Sequence, residues 1–402
     1  MRIVFVNLHT NEFLVKTASK YIFKQSVAIK HRYLLDYLLN ETDIEVCSYV
    51  NRNGTSIAHS LPQPLMGILR ACRFLESKWV LKKNGVAGKI KILKKMSDIR
   101  HDDMIIIYQL FAESCPELAD VKSFKVVSML HFFGTQSNSD AIRELKPDLL
   151  IAESNLKKYS AIFQKYYSWY KKDILVHPFV FEKRFLPKRP FGERKNCVFS
   201  TGTITYKKHP EFIDVYGDPC DQPIRKYVKD HREELKGMID CFNSDYSEDA
   251  NKKMEVKAND NRLTRLVKGF YYKFFASQQK SYYSFNMVDK FNDYKMCLIG
   301  EEILGVPGIG FVEGMACGCA YIGHHIGYYE DYGMKEGTHY IGYDGTPDDL
   351  KEKISYYQQP GHQNELECIA KEGCDFVRTK FNGKQAAKDL LVNLQDAQIQ
   401  NQ

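Results

Sequence analysis

The sequence predicts an α/β protein made of two doubly wound, Rossmann-like domains with parallel strands. Short apolar runs alternate with helix-like segments along most of the chain, and 402 residues suit two domains of ordinary size. With 44% hydrophobic and 27% charged residues, the composition is that of a soluble globular protein. No apolar run approaches the roughly 18 residues of a membrane span, so we expect a protein that is neither secreted nor membrane-spanning.

The first half of the chain is predicted to form one parallel sheet. Arg2–Leu8 is a β-branched run that ends in a polar loop, as a first buried strand should. A helix is predicted within 20–39, and further strands at 44–50, 104–110, 125–130, 149–152 and within 173–187. No G-x-G-x-x-G follows the first strand, which argues against a dinucleotide-dependent dehydrogenase.

Two segments of this half have two explanations each. Residues 70–100 hold ten Lys or Arg and two acids, and we favour a solvated helical face over contact with an anionic membrane. Aromatic residues at helical spacing between Leu156 and Tyr170, flanked by lysines, indicate core packing or a lipid-headgroup interface.

The most informative stretch is 294–323, where an apolar strand, a glycine loop, a helix and a second strand follow one another. The first strand is Lys295–Ile299, and four glycines lie between Gly300 and Gly310. Glycines let a backbone approach a ligand, and the helix that follows offers unpaired N–H groups to an anion, so phosphate is the expected ligand. Glu313, within the apolar helix pattern, needs a polar partner such as a ribose diol.

The segment Glu313-Gly-Met-Ala-Cys-Gly318 resembles the donor-binding motif of GT-B glycosyltransferases, particularly the group-1 (family 4-like) type. That motif has another Glu eight residues earlier, where this chain has Gly305, and the nearest acids are Glu301 and Glu302. The resemblance implies that Glu313 binds the donor ribose. If Glu302 replaces the missing acid, it acts near the reacting sugar; the alternative is that Glu301 and Glu302 are solvated loop acids. The loop residues implied at the donor are Gly308, Ile309 and Gly310.

Two further segments are similar to GT-B sequences. Cys197–His209 resembles the first strand and loop of the C-terminal domain, where Gly-Arg and a Lys five residues after the Arg clamp the donor diphosphate. Here Gly202 is kept, Thr203 stands at the Arg position and Lys208 at the Lys position, so the guanidinium fork is lost. The resemblance also implies that His131, just after a predicted strand, reaches toward the donor sugar; a His hydrogen-bonded at a strand end is the alternative.

The resemblance implies two domains that face each other across a cleft. Residues 1–187 would bind the acceptor, residues 188–384 the nucleotide-sugar donor, and a C-terminal helix within 385–402 would return to the first domain. Residues 211–217, predicted as a strand, also resemble a segment of α1,3-fucosyltransferases, another GT-B family. Residues 225–290 are basic and aromatic but carry no nucleic-acid-binding motif, so we expect no nucleic-acid partner.

The expected activity is that of a glycosyltransferase of the hexosyltransferase type, as in polysaccharide biosynthesis. It would move a sugar from a nucleotide-diphosphate sugar to a glycan or glycolipid acceptor, with retention of configuration. No Asp-x-Asp stands at a strand end, so we expect no metal and no cofactor besides the donor substrate. An inverting, fucosyltransferase-like enzyme and a non-catalytic binding protein of the same fold are the alternatives.

Eleven cysteines without a Cys-x-x-Cys pair indicate reduced thiols in a cytoplasmic compartment. Peripheral contact with an anionic membrane is a further hypothesis, since Tyr, Trp and Lys would suit a lipid-linked acceptor.

Overall fold

The computed structural model describes residues 2–10, 31–51, 63–245, 261, 264 and 285–401, with the backbone alone for 63–71. The chain divides into two compact units. Met1–Val180 and Gly383–Gln402 form the first unit, and Phe181–Asn382 forms the second. Each unit contains a parallel sheet with interleaved helices, which confirms the predicted α/β, Rossmann-like class.

The first unit contains a seven-stranded parallel sheet with the order β3-β2-β1-β4-β5-β6-β7. Its strands are β1 (Arg2–Val6), β2 (Glu45–Tyr49), β3 (Ile90–Leu93), β4 (Met104–Tyr108), β5 (Phe124–Ser128), β6 (Leu149–Ala152) and β7 (Ile174–Val176). The helices that follow these strands in sequence are α1 (Arg32–Glu41), α2 (Gln63–Lys83), α3 (Gln136–Leu145), α4 (Leu156–Tyr159) and α5 (Ala161–Tyr166). The strand order reverses between β1 and β4, so ligands are expected at the carboxyl ends of these strands.

The second unit contains a five-stranded parallel sheet with the order β12-β11-β10-β8-β9. Its strands are β8 (Lys195–Ile204), β9 (Ile239–Asp245), β10 (Tyr294–Leu298), β11 (Ala320–His324) and β12 (Ile341–Tyr343). Its helices are α6 (Pro210–Tyr216), α7 (Pro223–Asp230), α8 (Met287–Asp293), α9 (Gly310–Ala316), α10 (Tyr328–Asp331), α11 (Pro347–Gln358) and α12 (Gln363–Lys380). The order reverses between β8 and β10, so this pair marks the ligand-binding edge of the sheet.

The last helix, α13 (Gly383–Gln400), belongs to the first unit, where Leu390 and Leu394 share a core with Leu35 and Leu38 of α1. The predicted helix at 20–39 is described only from Arg32, because 20–30 lie outside the described residues. Among the residues that the structure describes, no helix is both long enough and apolar enough to cross a membrane.

The predicted strand at 211–217 is wrong, because these residues belong to α6. Pro210 occupies the first helical turn, which its fixed φ favours, and Gly217 ends the helix in the left-handed conformation with φ 71°. Phe212 is buried, so one apolar face of this short helix packs on the core.

The structure bears on the two segments of the first unit for which the sequence leaves two explanations. Residues 70–100 are split between the end of α2 and strand β3, so they do not form one long amphipathic helix. The aromatic segment packs into the core, since Phe163 and Tyr170 are buried and Phe163 stacks on Tyr167 at a centroid distance of 4.9 Å.

Candidate active site

Arg225, near the start of α7, joins the two central strands of the second sheet at their carboxyl ends. Its guanidinium donates to the carbonyls of Thr203 at 2.8 Å, Ile299 at 2.5 Å and Gly300 at 2.8 Å. Thr203 lies near the end of β8, and Ile299 and Gly300 follow β10. The arginine is 7% exposed, so it is a buried cation at the point where the strand order reverses.

Three glycines pack closely around the N-terminal part of α7 that contains Arg225, because they have no Cβ atom. A Cβ atom on Gly202 would lie 2.7 Å from Nε of Arg225, and one on Gly308 would lie 2.7 Å from Nη2. Gly300 has a φ of 67°, and its Cβ would lie 2.6 Å from Cγ2 of Ile224. The predicted loops therefore do come close to a charged group, but in this structure that group is a side chain of the protein itself.

A buried acid, Asp221, lies near the same loops. Its Oδ2 accepts a hydrogen bond from Oγ1 of Thr205 at 3.3 Å and lies 3.4 Å from Nζ of Lys207. Its Oδ1 has no hydrogen-bond partner among the described residues. Burial, followed by the negative charge of Glu302, raises the pKa of Asp221 to about 7. Glu302 itself is half-buried, and its charge acts on an acid that titrates near neutral pH.

Glu301 has a different environment from Glu302. Its Oε1 accepts hydrogen bonds from the hydroxyl of Tyr321 at 3.1 Å, the hydroxyl of Tyr329 at 2.5 Å and the backbone N–H of His324 at 3.0 Å. The side chain is buried. The alternative that both glutamates are solvated loop acids is therefore wrong for Glu301, which anchors the loop after β10.

The predicted donor loop and Glu313, the acid expected to bind the ribose, lie together at this edge. Gly308 is buried, Ile309 directly precedes α9, and Gly310 starts the helix. Glu313 is half-buried in the first turn of α9. A Cβ on Gly314 would lie 2.5 Å from Sγ of Cys297, so the glycine after Glu313 lets α9 approach β10 closely.

The residues that the resemblance implies at the donor phosphates differ in burial and in their contacts. Thr203 is half-buried and offers its carbonyl to Arg225. Lys208 is exposed and makes no hydrogen bond or ion pair within the described part of the chain, whereas Lys207 faces Asp221. Sequence reasoning missed Arg225, and the one local signal near it is Pro223, which marks the start of a helix.

At the carboxyl edge of the first sheet, His131 lies in the loop after β5 and has a φ of 50°. The loop is held by the buried Gln109, which donates to the carbonyls of Leu130 at 2.8 Å and His131 at 2.9 Å. Gln109 also accepts from the N–H of Phe133 at 3.0 Å. The backbone around His131 is thus fixed from the neighbouring strand.

More imidazoles surround His131. Nε2 of His31 lies 3.2 Å from Oε1 of Glu153, and the ring centroids of His131 and His177 are 6.1 and 5.9 Å from that of His31. Nδ1 of His177 and the hydroxyl of Tyr33 are hydrogen-bonded at 2.9 Å. Burial, followed by the charge of His31, lowers the pKa of His177 to about 4, so this imidazole is neutral at pH 7.

His31, His131 and Glu153 have the donor atoms that a metal ion would need. Their ligand atoms lie within 4.8 Å of one another, and imidazole with carboxylate is a donor set that suits zinc. The prediction of no metal rested on the lack of an Asp-x-Asp at a strand end, and no local motif marks these three residues because they come from different segments of the chain.

Comparisons with known proteins find similarity at the level of structure. No family model matches the chain, and no curated protein matches it. Sucrose-phosphate synthase from Thermosynechococcus elongatus is similar over 98% of both chains, with 12% identity and a TM-score of 0.53. Anabaena HepE in complex with UDP-glucose is similar over 98% of this chain and 100% of its own, with 11% identity and a TM-score of 0.50.

At this identity the likeness concerns the fold alone. Both compact units are doubly wound, and the strand orders place the ligand-binding edges beside β1 and β4 in the first and β8 and β10 in the second. The recognition made from Glu313–Gly318 is thus confirmed at the level of fold. The chain has the GT-B fold of the glycosyltransferases that its central motif resembles.

Proposed function

We propose that this protein is a glycosyltransferase that moves a sugar from a nucleotide-diphosphate sugar to a glycan or glycolipid acceptor. One observation carries the proposal. The loop 308–310 and Glu313 follow β10 at its carboxyl end, beside the reversal of strand order, where doubly wound folds bind their ligands. The GT-B fold supports the proposal, because the motif that resembles the family occupies that edge.

In this proposal, Glu313 accepts hydrogen bonds from the donor ribose, and the backbone of Gly308, Ile309 and Gly310 lies along the donor. Gly202, Thr203 and Lys208 are the further donor-binding residues. A hydroxyl and an ammonium group can each bind a phosphate oxygen. HepE was crystallised with UDP-glucose, so UDP-sugars are the first donors to test.

Glu302 and His131 are the proposed catalytic residues. A carboxylate close to the sugar stabilises the positive charge that develops there in the transition state, and this lowers the barrier to transfer. We propose transfer with retention, and the anomeric configuration of the product, read by NMR, tests it. An inverted product would support the fucosyltransferase-like alternative, although the 211–217 segment that suggested it is a helix.

Screening by thermal shift against UDP-, GDP-, CMP- and ADP-sugars tests donor binding. A ligand that binds only the native state stabilises it by RT ln(1 + [L]/Kd), about 2.7 kcal/mol at 100 times Kd. We expect one nucleotide class to raise the melting temperature, and donor hydrolysis by the purified protein to separate an enzyme from a binding protein. No shift with any nucleotide sugar at millimolar concentration would overturn the proposal.

Transfer is proposed to need no divalent ion. Activity should persist in excess chelator, and loss of activity with rescue by Mg²⁺ would contradict this. Metal analysis of the purified protein shows whether an ion is bound elsewhere. Stoichiometric zinc would indicate a site formed by His31, His131 and Glu153.

Peripheral contact with an anionic membrane stays a proposal, supported by the surface of α2 and β3. Nζ of Lys78 and Nζ of Lys94 lie 4.9 and 4.4 Å from the ring centroid of Phe74, and Leu75 is 62% exposed. The protein should co-sediment with anionic vesicles and dissociate as salt screens the charges. Equal binding to neutral and anionic vesicles would count against this contact.

A further inference from the structure

Arg225 is a buried cation whose hydrogen-bonding capacity is only partly used. A guanidinium has five N–H groups, and three of those of Arg225 donate to the carbonyls of Thr203, Ile299 and Gly300. No ion pair joins it to a carboxylate among the described residues. Two of its N–H groups therefore have no acceptor among the residues that the structure describes, although the side chain is almost completely removed from water.

Two other buried arginines show what a purely structural arginine looks like here. Arg2 is paired with Asp103 through two hydrogen bonds, at 2.8 and 2.6 Å. Arg194 makes five hydrogen bonds, to Arg189, Gly318, Asn292 and Cys317. Burying a charge is costly unless it is paired or well hydrogen-bonded. Arg2 meets the first condition, and Arg194, with five hydrogen bonds, meets the second. Within the described part of the chain, Arg225 has three hydrogen bonds and no carboxylate partner.

The position of Arg225 indicates which anion would neutralise its charge and accept its remaining hydrogen bonds. Nη1 contacts the carbonyl of Thr203, the residue that stands where the resemblance implies a phosphate-binding arginine. Nη2 lies 2.7 Å from where a Cβ on Gly308 would be, beside the loop expected at the donor. The guanidinium is therefore next to both segments for which phosphate is the expected ligand.

We propose that Arg225 binds the diphosphate of the donor, replacing from α7 the guanidinium that Thr203 lacks. This inference rests on the proposed function and names a residue of the same site. The two remaining N–H groups would donate to phosphate oxygens, and the charge of the diphosphate would neutralise the buried cation. Charge-assisted hydrogen bonds of this kind are about twice as strong as neutral ones.

The test measures binding to the full-length protein by calorimetry, with the nucleoside, its diphosphate and inorganic pyrophosphate as probes. The nucleoside is that of the donor class selected by thermal shift. Arg225→Lys keeps the charge but loses the planar fork, and Arg225→Gln loses both. We expect Arg225→Gln to weaken diphosphate and pyrophosphate binding about 10- to 100-fold and Arg225→Lys to weaken it less, with the nucleoside unchanged within about twofold.

Two controls isolate the contact. Arg232→Gln removes the same charge from an exposed residue just beyond α7 and should leave all three affinities unchanged. Arg194→Lys perturbs a buried structural arginine and should lower the melting temperature without a selective loss of diphosphate binding.

The outcomes separate this inference from the proposed function. If the wild type binds no nucleoside diphosphate, the proposed function fails. If it does, and folded Arg225 variants bind diphosphate like the wild type, or lose nucleoside and diphosphate equally, only the role of Arg225 is overturned. If the Arg225 variants do not fold, Gly308→Ala is compared with Gly310→Ala, because a Cβ on Gly308 displaces Nη2 of Arg225 whereas a Cβ on Gly310 meets Ile299. A selective loss of diphosphate binding in Gly308→Ala that Gly310→Ala does not share supports the role, and unchanged or equal losses overturn it.

Discussion

The carboxyl edges of the two parallel sheets carry buried side chains of different chemical kinds. At the edge of the first sheet, the buried groups around His131 are imidazoles with one carboxylate, and His177 is held neutral. At the edge of the second sheet, Arg225 is buried without a carboxylate partner among the described residues, and the pKa of Asp221 is raised to about 7.

The contrast shows that a doubly wound sheet determines where a site lies but not which ligand the site binds. In both units the strand order reverses, and the loops at that point meet at one edge. The side chains then decide the ligand, because a buried guanidinium attracts an anion whereas a neutral imidazole such as that of His177 does not.

Removing the buried acid of the second edge should have the largest effect. Glu301→Ala leaves two tyrosine hydroxyls and one backbone N–H without their shared acceptor, so the free energy of unfolding should fall by about 3–5 kcal/mol. Chemical denaturation measures this loss. The control Glu302→Ala, at the half-buried neighbour, should cost less than about 1 kcal/mol, and equal losses would show that Glu301 does not anchor the loop.

The two glutamates proposed to act on the donor should respond differently to neutralisation. Glu313→Gln removes charge-assisted hydrogen bonds made equally in ground and transition states, so the donor KM should rise by the equivalent of about 1.5–3 kcal/mol. Glu302→Gln should instead lower kcat, since its charge acts on the transition state. Steady-state kinetics separates the two, and an unchanged donor KM in Glu313→Gln would remove the ribose role.

The two edges should respond to pH with opposite signs. The pKa of Asp221 is raised from 3.8 to about 7, so the folded state binds more protons between these values and stability falls as pH rises through that range. The pKa of His177 is lowered from 6.5 to about 4, so stability falls as pH drops through that range.

Melting curves from pH 4 to 7 check both signs. Relative to the wild type, Asp221→Asn should become more stable as pH rises, and His177→Gln should become more stable as pH falls. Each difference should be on the order of 1–3 kcal/mol across the range, because one pKa unit corresponds to about 1.4 kcal/mol. Difference curves with the same slope would contradict the contrast between the two edges.

The smallest effect is expected at Lys208. This lysine is exposed, and an exposed charge contributes about 0–1 kcal/mol, so Lys208→Gln should weaken nucleoside diphosphate binding less than about fivefold. Calorimetry beside Arg225→Gln makes the comparison direct. If Lys208→Gln caused the larger loss, the lysine named by the resemblance would be the main phosphate ligand.

Buried strands and capped helices could be predicted from the sequence because their causes are local. A parallel strand covered on both faces is a continuous apolar run, so Arg2–Leu8 was recognised as β1, and Met104–Leu110 as β4. A Thr followed by Pro and two acids is the local pattern of a helix start, and the side chain of Thr346 caps α11 by accepting a hydrogen bond from the N–H of Asp349. At 211–217 the same method failed, because the few apolar residues of so short a segment do not distinguish strand from helix.

Local pattern also determined the segment of the proposed donor site, since Gly308–Gly310 and Glu313 lie within one strand, loop and helix unit. The tertiary structure decided which distant residues join these sites. Arg225 meets Ile299 and Gly300 across 74 and 75 positions of sequence, and His31 meets Glu153 across the first sheet. Such contacts leave no periodicity in the chain, because they arise only when parallel strands bring distant loops to one edge. Burial there, which depends on the packed fold, then sets the charge of each group.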